Sequence, residues 1–147
     1  MIRRLGIAQA ILNDPDIIIF DEPTTGLDPE ERLRFKNLIG EIKGDRTVII
    51  STHIVEDVDA VCDYIAVIGG KTIAACGRPH EIQSYADGKV FLLPENHPEA
   101  LNKSNYIVKR SEINGEVFLR LLSNLPIQAE PQHPTVKDGY LCVSKGI

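Results

Sequence analysis

The stretch Ile17-Ile18-Ile19-Phe20-Asp21-Glu22-Pro23-Thr24-Thr25-Gly26-Leu27-Asp28-Pro29 decides the fold. Its unbroken apolar run, 17–20, reads as a short strand covered on both faces, the mark of a parallel sheet with helices on either side. Asp21 and Glu22 close that strand at its C-terminal end, where α/β folds bind ligands. Beyond them a loop gives way to a helix with Asp28 as N-cap, Pro29 at the first helical position and Glu31 placed to reach back. Phe35, Leu38, Ile39 and Ile42 supply its buried stripe, and the alternation of Glu and Lys from Glu30 to Lys43 reads as its solvated face. Gly44 lets the helix stop, and Thr47-Val48-Ile49-Ile50 forms a second buried strand ending at Ser51-Thr52-His53.

Upstream, Ile2, Leu5, Ala8 and Leu12 recur at helical spacing, with Ile11 widening the stripe, and the pattern stops at Asn13-Asp14-Pro15. No capping residue precedes it, so the chain reads as starting inside an element. Downstream, Val55, Val58 and Cys62 mark a short amphipathic helix, and strands 65–68 and 72–76 flank a hairpin turn at Gly69-Gly70. After a helix over 78–86 the composition shifts to scattered prolines, with strands over 89–93, 106–110 and 116–122 and a turn at Asn114-Gly115. The fold class is therefore α/β over residues 1–87, followed by a small α+β appendage over 88–147, with the boundary near Asp87-Gly88.

The chain has 147 residues, enough for a real core. Its net charge of −5 supplies no basic field for nucleic acid or an anionic membrane, so no nucleic-acid partner is expected. No apolar run approaches the roughly 18–20 residues that span a bilayer. Arg3-Arg4 and Ala8-Gln9-Ala10 imitate a signal peptide but have only Leu5-Gly6-Ile7 between them. Cys62, Cys76 and Cys142 form no C-x-x-C pair and have no matching histidine cluster, a pattern that fits reduced thiols better than disulfides or zinc.

Neighbouring carboxylates at a strand end suit phosphoryl transfer to water, in which a metal neutralises phosphate oxygens and a second group orients the attacking water. Asp21 fits the first role and Glu22 the second. An isolated Asp-Glu pair is more often a polar loop, but the flanking segments change that balance. Residues 17–23 resemble the Walker B segment of ABC ATPases, and Thr25-Gly26-Leu27-Asp28 resembles their D-loop. Ser51-Thr52-His53 resembles the switch-histidine region, one helix and one strand after Glu22, and residues 1–10 are similar to the helix that follows the LSGG signature.

That resemblance implies the distal part of a P-loop-type ABC ATPase domain. Asp21 would bind Mg²⁺ through water, Glu22 would be the general base, His53 would contact the γ-phosphate of ATP, and Asp28 would communicate across a dimer interface. Asp28 is also explained as a helix cap, and His53 as a hydrogen-bonded loop histidine. The partners implied are a membrane permease and a second ATPase subunit, with the protein cytoplasmic and peripheral on the inner face of the membrane. Gly70-Lys71-Thr72 imitates the end of a P-loop, but Ile65 stands where the first glycine belongs and the segment reads as a hairpin. The P-loop, Q-loop, adenine-stacking region and LSGG residues would precede Met1, which itself fits an internal position after the signature glycines.

Residues 134–141, Pro-Thr-Val-Lys-Asp-Gly-Tyr-Leu, resemble the ending of ATP-binding subunits of bacterial ABC-2-type exporters, departing from it at Lys137 and Gly139. They also read as a proline-started final helix that packs Val136, Tyr140 and Leu141. The expected function is the ATP-hydrolysing subunit of an ABC exporter, present as a C-terminal portion that is inactive without a P-loop. The alternative is a non-catalytic, truncated ABC-like interaction module. An ABC-type ATPase acting on nucleic acid or ribosomes is disfavoured by the acidic charge. A strand pair with one face uncovered is expected to favour self-association.

Overall fold

The two apolar runs pair as parallel strands. β1 (Ile17–Asp21) lies beside β2 (Thr47–Ser51), in register from Ile17 opposite Thr47 to Asp21 opposite Ser51. The computed structural model describes residues 2–44 and 46–147; Met1, and with it the expectation of an internal position there, lies outside them. Contacts divide the chain into two units, Met1–Cys62 and Asp63–Ile147. The compositional boundary near Asp87-Gly88 falls inside the second.

In the first unit, α1 (Ile2–Ile11) precedes β1, α2 (Pro29–Ile42) joins the strands, and α3 (Val55–Val58) follows β2. Ile18 and Phe20 of β1 pack on Phe35 and Ile39 of α2, with the Phe20 and Phe35 rings edge to face at 5.5 Å. Leu38 and Ile42 on the same helix are only half-buried. The starting signals of α2 act as expected: Asp28 accepts a 2.8 Å bond from the Glu31 N–H, and Pro29 opens the helix.

Two expectations need correction here. The inward face of α1 is Ile7, Ala10 and Ile11, whereas Leu5, Ala8 and Leu12 are exposed; the side chain of Ile2 lies outside the described residues. The helix is apolar nearly all round, so periodicity alone could not choose the face. Coverage of β1 on both faces is not found either. Ile17 and Ile19 are 62% and 68% exposed, and Ile49 of β2 is open beside them, because the unit's helices lie on the other side.

The second unit opens with a hairpin of β3 (Ile65–Gly69) and β4 (Thr72–Gly77). Its turn is Gly70-Lys71, one residue later than expected: Gly69 pairs with Thr72, and both turn residues take positive φ, as a two-residue turn of this kind requires. This geometry bears no relation to a phosphate-binding loop. Next come α4 (Pro79–Ser84), then β5 (Val90–Pro94), β6 (Tyr106–Ile113) and β7 (Glu116–Leu122), which form an antiparallel sheet in the order β5-β7-β6. Asn114-Gly115 turns β6 into β7 with positive φ at both positions. Val90 and Leu122 belong to one core with Leu141 and Cys142, while Phe91, Leu93, Leu119 and Leu121 belong to another, so the sheet buries both faces.

The final helix, α5 (Val136–Lys145), starts on Thr135 rather than on Pro134. The Thr135 hydroxyl accepts from the Asp138 N–H while Asp138 accepts from the Thr135 N–H and hydroxyl, each at 2.8 Å, a closed capping box. Asp138 is fully buried and also takes a 2.6 Å bond from the Arg120 guanidinium on β7. Arg120 in turn donates to the His133 carbonyl, which anchors the segment leading into α5. Gly139 has its own reason: a Cβ there would stand 1.9 Å from the Ile82 carbonyl oxygen, so α5 approaches α4 too closely for any side chain.

Burial alone would push the Asp138 carboxyl up, but the Arg120 and Thr135 hydrogen bonds outweigh it and hold the carboxyl below its ordinary value. A depressed folded pKa means that its stabilisation is present at neutral pH and is lost as pH falls through that value. Asp138→Asn should therefore destabilise the second unit by about 3 kcal/mol at neutral pH, with the deficit shrinking on acidification. Urea denaturation across the acid range, followed by circular dichroism, checks this, and a deficit that is absent or independent of pH would contradict it.

Candidate functional site

The parallel register of β1 and β2 ends both strands on the same edge, so Asp21-Glu22 and Ser51-Thr52-His53 leave the sheet side by side. The backbone pairing continues one residue further, with the Glu22 N–H donating to the Ser51 carbonyl at 2.9 Å. Glu22 then turns into the left-handed region at φ 47°, a conformation that costs a non-glycine residue about 1 kcal/mol and that clusters at functional sites. That turn sets its carboxylate among donors.

Glu22 Oε1 lies 2.8 Å from His53 Nδ1 and accepts from the His53 backbone N–H at 3.1 Å. Its Oε2 accepts from the Thr25 hydroxyl at 2.9 Å, with the Thr52 hydroxyl at 3.4 Å. The His53 hydrogen bond, then the Thr25 hydroxyl, hold the Glu22 carboxyl below its ordinary value, although the residue is open to solvent. It is therefore a carboxylate at neutral pH, held at both oxygens and reachable by water. Asp21 accepts from the Ser51 hydroxyl directly across the strand pair.

Glu22 and His53 thus meet, while Asp21 is bonded to Ser51 at the adjoining strand ends. Asp28 stands apart, exposed and bonded to the start of α2, so its helix-cap role is the one realised within this chain. Thr25 and Thr52 are contributors that sequence reasoning left without roles. Each lies inside a motif, and only the left-handed turn at Glu22 brings both hydroxyls to its carboxylate.

Among the described residues no cluster of three or more His, Cys, Asp or Glu could hold a metal ion by itself. Asp21, one exposed carboxylate beside a hydroxyl, fits Mg²⁺, which keeps several waters and completes its shell with phosphate oxygens instead of a protein cage. No helix among the described residues is long and apolar enough to cross a membrane.

No family model matches the chain. A Nod factor export ATP-binding protein I from Cupriavidus pinatubonensis is 38% identical over 121 residues, which cover 80% of this chain and 37% of that protein. Its namesake in Rhizobium etli is 44% identical over 128 residues, 84% of this chain and 40% of that protein. Another, from Rhizobium johnstonii, is 34% identical across 96% of this chain and 50% of its own length. The chain belongs to the ABC transporter ATP-binding family. It spans half or less of the length of these curated relatives. Within this family member, the mixed α/β architecture is that of a partial ABC ATPase domain.

The tethering of Glu22 has a direct consequence in acid. Because its folded pKa is depressed, the bonds from His53 and Thr25 are intact at neutral pH and are lost as pH falls through the folded value. A carbon-13 NMR titration of the Glu22 carboxyl should give a midpoint below the ordinary 4.5, and His53→Ala should move it upward. A midpoint at or above 4.5 in the unaltered chain would contradict the geometry.

Proposed function

We propose that the chain is the distal part of the ATP-binding subunit of an ABC exporter, and that the complete protein hydrolyses ATP at a head-to-tail dimer interface to drive a separate membrane permease. The observation that carries this reading is the Glu22 carboxylate, ionised and fixed at the end of a parallel strand by His53 and Thr25. A general base must be unprotonated and within reach of water, and its positioning supplies much of the effect. Glu22 takes the proton of the attacking water, and its bonds to His53 and Thr25 keep it from swinging away. His53, whose side chain is exposed, contacts the γ-phosphate. Mg²⁺, when bound with ATP, neutralises the phosphate oxygens, and Asp21 holds its water shell from the strand end.

Asp28 communicates across the dimer interface from its position at the exposed start of α2. Residues 1–87 correspond to the ATPase domain and 88–147 to its accessory region, with the protein cytoplasmic and peripheral on the inner face of the membrane. The relatives' name, Nod factor export, supports an exporter over an importer. By itself the chain has no P-loop to deliver a phosphate to Glu22, so it turns over no ATP.

In the complete protein, Glu22→Gln should leave ATP binding intact while lowering hydrolysis by roughly 10²–10⁴-fold. Filter binding with labelled ATP and phosphate release measure the two separately. Binding lost together with turnover would remove Glu22 from the role of base. Magnesium-dependent turnover by this chain alone, abolished by the same substitution, would overturn the need for a further phosphate-binding segment. A complete protein that never hydrolyses ATP would favour the non-catalytic interaction module.

A further inference from the structure

Behind the carboxylate site, Asp57 is only 6% exposed although it carries a charge and sits on α3, a helix of four residues. So short a helix cannot hold itself together, since a single turn has not recovered the entropy of its own nucleation. Its N-cap, Ile54, makes no side-chain capping bond. The position of α3 must come from anchors outside it, and two are present. At its entrance the Ile54 N–H donates to the Thr52 hydroxyl at 3.0 Å. At its far end the Lys36 ammonium, on α2, stands 3.0 Å from Asp57 Oδ1 and donates to the Glu56 carbonyl at 3.2 Å.

The surroundings of this pair are mostly apolar, with the Thr24 and Thr52 side chains among them. Pro23, Phe35, Ile50, Val58 and Val61 line a small cavity against Lys36 and Asp57, so the pair is poorly screened by water. Desolvation on its own would raise the Asp57 carboxyl, yet neighbouring Thr24, Lys36 and Arg32 outweigh it and keep Asp57 ionised, with Oδ1 on Lys36 and Oδ2 buried without a hydrogen-bond partner among the described residues. A buried ion pair of this kind is weak evidence for stability and better evidence for a fixed arrangement. What it fixes is visible along the chain: Asp57 lies four residues after His53, and Thr24 lies between Glu22 and Thr25. The helix that leaves the Asp21-Glu22 loop is thus clamped to the helix that leaves the His53 loop.

We infer that the Lys36–Asp57 ion pair is a positioning device that holds the His53 loop against the Glu22 carboxylate. Neither residue touches the reacting atoms; both act through α3 and the two hydrogen bonds that His53 makes to Glu22. The importance of this for catalysis rests on the function proposed above, but the positioning itself does not.

The test is hydrogen exchange by NMR on this chain, reading the His53 amide that donates to Glu22 and, as internal reference, the Thr47 and Ile49 amides of β2, which face β1 in the parallel ladder. Asp57→Asn and Lys36→Met should each speed exchange at His53 by roughly tenfold while leaving the β2 amides unchanged. The double variant should be no worse than either single, and Asp57→Glu should restore most of the protection. Unchanged exchange at His53 in both single variants would overturn the inference. So would exchange at His53 that rises only in step with the β2 amides, since that reports general loosening. If Asp57→Asn does not fold, Lys36→Met alone decides by the same comparison. No nucleotide enters the measurement, so its failure is distinct from a failure of Glu22→Gln to stop hydrolysis.

Discussion

Everything in the first unit depends on how β1 pairs with β2. A strand's side chains alternate between faces, so a slip of one residue would turn Ile18 and Phe20 away from α2 and expose them. The same slip would move Ser51-Thr52-His53 along the strand axis by about 3.3 Å relative to Asp21-Glu22. The register is held at both ends. At the entrance Arg46 pairs with Asp14, and the Thr47 N–H donates to the Asp16 carbonyl; at the exit Ser51 bonds Asp21 and the Glu22 N–H reaches the Ser51 carbonyl. Between the ends, the edge-to-face contact of Phe20 and Phe35 keys the strand to α2.

From that register the chemistry follows in short steps. The strand delivers Glu22, its left-handed turn aims the carboxylate, and hydroxyl and imidazole groups from two loops meet it. The left-handed turn is mildly unfavourable by itself, and the hydrogen bonds it permits offset the cost. Holding the carboxylate at both oxygens lowers its pKa, which favours the ionised form at some expense in basicity. The second unit solves a different problem with similar means. There a buried carboxylate, Asp138, caps its own helix and binds Arg120 from the neighbouring strand, which ties α5 to the sheet.

Signals that act within a few residues were legible in the sequence. Asp28-Pro29 opened a helix, Asn114-Gly115 closed a hairpin, and the paired carboxylates marked the C-terminal end of a parallel strand. Signals that depend on distant partners were not. Lys36 looked like one more solvated charge on an alternating helix face, and only the fold brings Asp57 to it. Arg120 and Asp138 are separated by the whole irregular stretch 123–135, so nothing local announced their bond. In α1 two sets of residues, Leu5, Ala8 and Leu12 and also Ile7, Ala10 and Ile11, could each form one face of a helix, and contact with β1 alone decides between them. In Gly69-Gly70-Lys71 either of two adjacent pairs could turn, and the pairing of Gly69 with Thr72 selects the second.

One register of β1 against β2 brings Glu22 beside His53, and cross-linking reports that register. Ile17, Ile19 and Ile49 are all exposed on the same open face, and Ile19 stands opposite Ile49. In a chain with Cys62, Cys76 and Cys142 replaced by alanine, Ile19→Cys with Ile49→Cys brings two thiols onto backbones about 4.8 Å apart, within the span of a disulfide. Ile17→Cys with Ile49→Cys leaves about 8 Å, beyond it. The first pair should oxidise rapidly, with the NMR signals of the Glu22–His53 contact preserved, and the second should form no intramolecular bond. Closure of the second pair in preference to the first would contradict the register and with it the placement of Glu22 beside His53.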